Sequence, residues 1–100
     1  KFKENVQNFD VAWALLSKKH NGSKIKSTNL IKLFSMIKKP LGFADVELDA
    51  KNKQQVIAKY IMKLHLQCDN ESCVHFHKVL FAALRKAYEE YIVDSGDMAV

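Results

Sequence analysis

The chain has few of the residues that break helices or shape tight turns, with one proline and three glycines in 100 residues. A sheet-rich fold with many turns, or a disordered chain, would need more of both. No apolar run approaches the ~20 residues that span a bilayer, and these 100 residues do not contain the basic start and apolar middle that a signal peptide would show. Hydrophobic residues make up 48% of the chain, which is enough for one compact core. We therefore expect a soluble domain, and the start at Lys1 rather than Met suggests a piece of a longer protein.

Cysteine and arginine are also scarce. A disulfide between Cys68 and Cys73 would close only a small ring of residues, and a helical core of this size does not require one. We therefore expect two free cytosolic thiols. The net charge is +5, and Arg85 is the only arginine among 16 basic residues. A basic surface attracts nucleic acid, anionic lipid or acidic protein. Base reading leans on arginine, and the lysines are spread along the chain, so we expect no nucleic-acid partner.

Four segments carry apolar residues at the spacing of an amphipathic helix, and such stripes usually face a core. They are Phe9, Trp13 and Leu16; Leu30, Leu33, Phe34 and Ile37; Ile57, Tyr60, Ile61 and Leu64; and Phe76, Val79, Leu80, Ala83, Leu84, Ala87 and Tyr91.

Polar and helix-breaking residues separate these segments. The breaks are a turn cluster at 20–23, a connector over 41–50 and a polar loop over 67–73. Pro40 should end the second helix near Ile37, and Asp49 is a good N-cap for the third. We predict one domain over residues 1–93, followed by a flexible extension over residues 94–100.

The resulting layout is helix–loop–helix, connector, helix–loop–helix. Each loop ends in one β-branched residue, Ile25 or Val74, directly before a helix. Two such residues can face each other across a short antiparallel bridge that ties the loops together. We therefore predict an all-α fold of the EF-hand-like type, with two helix–loop–helix units, four main helices and a short β-bridge between the loops.

A calcium-binding loop of this type needs oxygen ligands at positions 1, 3, 5, 7, 9 and 12, with Gly at 6 and Glu at 12. In the first loop, Gly22 as position 6 or Ile25 as position 8 places no carboxylate at positions 1, 3, 5 or 12. Those positions hold either Ser17, Lys19, Asn21 and Thr28, or Lys18, His20, Gly22 and Asn29. Neighbouring lysines would also repel the ion, so we predict that the first loop binds no calcium.

The second loop retains two acids. With Val74 as position 8, Asp69 and Glu71 fall at positions 3 and 5, but Gln67 stands at position 1 and Lys78 replaces the anchoring glutamate at position 12. We expect no metal here, and Asp69 and Glu71 are the weak candidates if one binds.

A zinc site and a catalytic site have little support in the sequence. Cys68, Cys73, His75 and His77 have the chemistry zinc prefers, but C-x4-C-x-H-x-H is not a usual structural spacing. Surface histidines beside unreactive thiols are the alternative that we prefer. No nucleophile with a base and an orienting group is recognisable, and no glycine-rich phosphate loop is present. We expect no enzyme activity and no cofactor.

Two stretches resemble one known family. The first contains Phe9, Trp13-Ala14, Gly22, Ile25, Leu30 and the run KKPLGF at 38–43; the second is VHFHKVLFAALRKA at 74–87, with Val74, Phe76, Leu80, Phe81, Ala82 and Arg85 in the family's pattern. Both are similar to the EF-hand-like domain that follows the last transmembrane helix of four-repeat voltage-gated calcium and sodium channels.

The chain departs from that family in two places. The first loop has one extra residue between Gly22 and Ile25, and the connector over 44–53 follows no family pattern. PLGF leans towards calcium channels, whereas SGDMA at 95–99 is similar to the sodium-channel continuation. We prefer a calcium channel.

The resemblance implies a regulatory module on the cytoplasmic side of a membrane, which modulates channel gating or inactivation through protein contacts. Its partners would be the linker between repeats III and IV and a downstream IQ helix, which binds calmodulin-like protein and is not among these 100 residues. The residues that mark the loops and the core of the module would be Trp13, Gly22, Ile25, Val74, Phe76 and Phe81.

The docking residues are less well specified by the sequence. Lys32, Lys38 and Lys39 are candidates for contact with acidic segments or the inner leaflet, and a solvated face is the alternative. A free-standing sensor of calcium or zinc at the second loop is the alternative function.

Overall fold

The computed structural model describes residues 2–95, and the exposure of side chains for residues 3–89. The elements are α1 (Phe2–Leu16), β1 (Lys24–Lys26), α2 (Leu30–Met36), α3 (Ala50–Leu64), β2 (Cys73–His75) and α4 (Phe76–Ser95), with short 3-10 turns at Lys18–His20 and Ser27–Asn29. The prediction of a mainly helical domain with four helices and a short antiparallel pair of strands is confirmed. Of the helices in residues 2–95, none combines the length and the apolar character required to cross a bilayer.

Local sequence signals explain the helix boundaries. The Asp49 carboxylate accepts a hydrogen bond from the backbone N–H of Asn52 at 2.8 Å, which is the predicted N-cap of α3. Helix α2 ends at Met36 and Ile37 is already extended, as expected upstream of Pro40. Gly42 is required nearby, because a Cβ atom there would overlap the carbonyl oxygen of Ile37.

The core lies between the four predicted apolar stripes. The fully or nearly fully buried side chains include Phe9 and Trp13 from α1, Leu30, Leu33 and Phe34 from α2, Ile57 and Leu64 from α3, and Val79, Ala83 and Ala87 from α4. Two pairs of aromatic rings join the helices, one between α1 and α4 and one between α2 and α3. Trp13 meets Phe76 edge to face with ring centroids 5.3 Å apart, and Phe34 meets Tyr60 at 5.2 Å.

The two strands join the loops in the predicted register. Ile25 lies opposite Val74, and both side chains are buried in the core. Backbone hydrogen bonds continue the pairing on both sides, from Ser27 N to Ser72 O at 2.9 Å and from Phe76 N to Ser23 O at 3.1 Å. The loops are therefore held as one body.

Two predictions need adjustment at α4. The helix continues through Ser95, beyond the Val93 end of the predicted domain, and residues 96–100 of the predicted extension lie outside the described residues. Phe81 is not a core marker, because its side chain is 61% exposed. Val79, Leu80 and Ala83 already fill the inward face of the helix, so Phe81 lies on the outward face.

Candidate functional site

The first loop is shaped by backbone geometry and by Trp13. Asn21 and Gly22 have positive φ angles of 54° and 83°, and the indole Nε1 of Trp13 donates a hydrogen bond to the Gly22 carbonyl at 2.8 Å. Gly22 lies three residues before Ile25, whereas the corresponding left-handed residue of the second loop, Ser72 with φ 61°, lies two residues before Val74. The first loop therefore has one more residue than the second between this left-handed residue and the paired strand position.

The second loop is folded around the Asp69 carboxylate. Its Oδ1 atom accepts hydrogen bonds from the backbone N–H groups of Glu71 at 2.8 Å and Cys73 at 3.1 Å. The Asp69 N–H in turn donates to the Cys73 carbonyl at 2.9 Å. If Val74 is position 8 of an EF-hand loop, Asp69 and the Cys73 carbonyl are oxygens that would face an ion. In this structure both oxygens instead accept hydrogen bonds from backbone N–H groups of the same loop.

A lysine from the first loop enters this acidic cluster. The Nζ atom of Lys24, in β1, lies 3.2 Å from Oδ2 of Asp69 and also forms an ion pair with the Glu71 carboxylate. Lys26 donates to the Glu71 carbonyl at 3.0 Å, and Nε2 of His75 lies 3.0 Å from Oδ2 of Asp69. The positive charge beside Asp69 and Glu71, the two candidate metal ligands, is therefore supplied by a lysine of the protein itself.

These contacts favour the charged forms of Asp69, Glu71 and Lys24. Backbone N–H groups of Cys73 and then Glu71 lower the pKa of Asp69, and Lys24 and His75 lower it further. The hydrogen bond from Lys24 lowers the pKa of Glu71, and the pKa of Lys24 is raised by Glu71 first and Asp69 second. Each group favours its charged form because its partners are of opposite charge or donate hydrogen bonds.

The four residues considered as zinc ligands, Cys68, Cys73, His75 and His77, do not form one site. Cys68 and Cys73 are free thiols, the first exposed and the second buried. His75 faces Asp69, while the His77 ring packs between the rings of Phe76 and Phe81 at 5.1 and 5.7 Å. Within residues 2–95, no three His, Cys, Asp or Glu side chains are arranged to hold a metal ion.

The three lysines predicted as docking residues are exposed but do not share one site. Lys32 lines a cleft of about 330 Å³ together with Lys18, Lys19 and Lys26. Lys38 and Lys39 follow α2 outside that lining, where their backbone N–H groups donate to Asn8 at 2.9 Å and Asp45 at 3.0 Å. Sequence reasoning missed the cleft, since its lysines come from separate segments.

A second open cleft, of about 510 Å³, lies between the end of α3 and the outward face of α4. Its lining includes Leu64, Leu66, His77, Phe81 and Arg85 and contains no acidic residue. His77, Phe81 and Arg85 recur every four residues beside the core stripe, and this spacing is the signal by which the sequence could have shown an exposed face.

No family model, curated protein or solved structure matches the chain.

Proposed function

We propose that the chain is a regulatory interaction module of a voltage-gated cation channel, a calcium channel in preference to a sodium channel, and that its EF-hand-like loop pair is held closed without a metal ion. The observation that carries the closed, metal-free state of the loops is the ion-paired contact of the Lys24 ammonium with both Asp69 and Glu71. This ammonium supplies the positive charge that calcium would supply in a sensor.

The Lys24 contact removes the driving force for calcium uptake. A calcium loop gains affinity from several carboxylates that are free to coordinate the ion. In this chain the entering ion would have to displace Lys24 from two carboxylates and separate Asp69 from two backbone N–H groups. Lys78, at the position of the anchoring glutamate, adds repulsion. Without ion binding, nothing opens the helix pair, so the module acts as a closed docking body.

The channel assignment rests on the resemblance of two stretches of the sequence to that family, and these two stretches pack against each other in the fold. Phe9 and Trp13 from the first stretch pack against Phe76 from the second, with ring centroids 5.8 and 5.3 Å apart. Ile25 and Val74, which end the two loops, face each other across the strands. The module would lie on the cytoplasmic side of the channel and contact its III–IV linker and IQ helix.

The outward face of α4 is the surface best suited to such a protein contact. Phe81 and Tyr88 are exposed, and Arg85 lies between them in sequence. Aromatic residues and arginine dominate the energetically important positions of protein interfaces. The partner that fits is an amphipathic segment of the parent channel, with an apolar side chain against Phe81 and a carboxylate for Arg85, because no acid lines this cleft.

Calorimetric titration with calcium, and separately with zinc, tests the metal-free loop pair. The expected result is no saturable heat and no change in far-ultraviolet circular dichroism. Micromolar binding with a change in helicity would instead support a free-standing sensor.

The channel assignment has a separate test in the transcript that encodes the chain. Upstream of Lys1 it should encode four repeats of six transmembrane helices with arginine-rich segments. A transcript without them would end the channel assignment and leave the loop geometry unaffected.

A further inference from the structure

Lysines from separate segments converge on one cleft. Its lining is Leu15, Leu16, Lys18, Lys19, His20, Lys26, Asn29 and Lys32, and no aspartate or glutamate belongs to it. We call Lys18, Lys19, Lys26 and Lys32 the lysine cleft. Lys18 and Lys19 lie in the 3-10 turn after α1, Lys26 ends β1 and Lys32 lies in α2. The surrounding space is therefore strongly attractive to anions.

Exposed aliphatic side chains lie beside the lysine cleft. Val11 is 63% exposed and Leu15 is 54% exposed. They stand four residues apart on α1, so both project from the same side of the helix. Leu15 also lines the cleft, which makes the apolar and basic features one continuous surface.

We propose that this surface docks the domain onto an anionic lipid membrane. Val11 and Leu15 enter the boundary between headgroups and acyl chains, and the lysine cleft meets the lipid phosphates. Exposed apolar side chains flanked by lysines are how interfacial helices bind anionic membranes. The inference does not rest on the channel assignment or on the state of the calcium loops.

The type of cation favours a membrane over an acidic protein. Specific recognition of a carboxylate usually uses the planar fork of arginine, and the only arginine of the chain, Arg85, lies in the other cleft. Lysine is a compact charge on a flexible stem, which suits a fluid layer of headgroups. The exposed pair of aliphatic side chains would also gain little from a purely electrostatic partner.

Sedimentation of the chain with lipid vesicles tests the inference. We expect binding to vesicles of phosphatidylcholine with about one-third phosphatidylserine, and little binding to phosphatidylcholine alone. Raising the salt from about 0.1 to about 1 M should weaken the binding, because charges at a surface are screened.

Matched variants separate the lysine cleft from net charge. Each lysine near the surface contributes roughly five-fold in binding, so a chain with Lys18→Gln, Lys19→Gln and Lys32→Gln should bind roughly 100-fold more weakly. The control carries Lys51→Gln, Lys59→Gln and Lys63→Gln, with the same loss of charge at exposed positions on α3. It should lose less than roughly ten-fold. Lys26 is left unchanged because it bonds to Glu71.

The aliphatic pair has its own variant, Val11→Ser with Leu15→Ser, for which we expect a loss of roughly ten-fold or more. Far-ultraviolet circular dichroism should be unchanged in every variant, since all the substituted side chains are exposed.

Three outcomes would overturn the proposal. Equal losses of vesicle binding in the two lysine variants would show that binding depends on net charge and not on the lysine cleft. Undiminished binding of the serine variant would remove the apolar contact. Capture of the chain by polyglutamate, with no binding to the phosphatidylserine vesicles, would assign the surface to an acidic protein partner.

Discussion

Pairing of the two loops through Ile25 and Val74 is best tested with a double-mutant cycle. The single changes are Ile25→Val and Val74→Ala, measured separately and together. Both side chains are buried and they lie directly opposite each other in the sheet. If each contacts the other, the first substitution should change the cost of the second.

The expected magnitudes follow from the atoms removed. Ile25→Val deletes one methylene group from a fully buried side chain and should cost ~0.5–1.5 kcal/mol in the free energy of unfolding. Val74→Ala deletes two methyl groups and should cost ~1.5–3 kcal/mol. The coupling between residues opposite each other should be ~0.5–1 kcal/mol. The sum remains below the ~5–15 kcal/mol typical of a folded domain, so all variants should fold.

Urea unfolding followed by circular dichroism gives the four free energies. The slopes with urea concentration should agree among the variants, since the surface exposed on unfolding is nearly the same. Ile37→Val combined with Val74→Ala is the comparison cycle, because Ile37 is equally buried but lies outside the sheet. Costs for Ile25 and Val74 that add within ~0.3 kcal/mol would refute direct packing between the loops.

Two further predictions concern Asp69 and Asp49. Folding lowers the pKa of Asp69, so the ionised carboxylate stabilises the native state. This stabilisation is complete above the pKa of the unfolded state, ~3.9, and is lost as the pH falls through the lower pKa of the folded state. Thermal melts from neutral pH to about pH 3 should therefore show a steeper loss of melting temperature in the wild type than in Asp69→Asn, and parallel curves would contradict the assignment. Asp49→Ala removes the N-cap of α3 and should cost ~1 kcal/mol, or roughly 4–8 °C in melting temperature. Asp49→Ser, which keeps a capping oxygen, should recover most of that loss, and an unchanged melting temperature in Asp49→Ala would rule out a stabilising cap.

Local signals in the sequence were sufficient for the helices and for the pairing of the loops. Apolar residues at helical spacing predict which faces of α1 to α4 are buried, because burial of those stripes is the main driving force of folding. Asp49 and Pro40 mark boundaries through their own backbone chemistry. Ile25 and Val74 could be paired because each is a single β-branched residue at the equivalent place of a repeated layout.

The position of Lys24 shows where local signals stop. From the sequence alone, Lys24 is one of several neighbouring lysines that would repel calcium from the first loop. Only the antiparallel pairing places its ammonium against Asp69 and Glu71, 45 and 47 residues away, where it pairs with both acids of the second loop. Ion pairs of this kind have no period in the sequence, because they depend on the register between two distant strands.

The sequence by itself therefore determined the helical domain, its core faces and the poor supply of calcium ligands, since each follows from residue type and spacing along one segment. The tertiary structure decided which charges meet. It gathered lysines that are spread along the sequence into one cleft and turned Phe81 outwards while its helix neighbours filled the core. These arrangements depend on how separate segments pack in space, and packing is not encoded in any one of them alone.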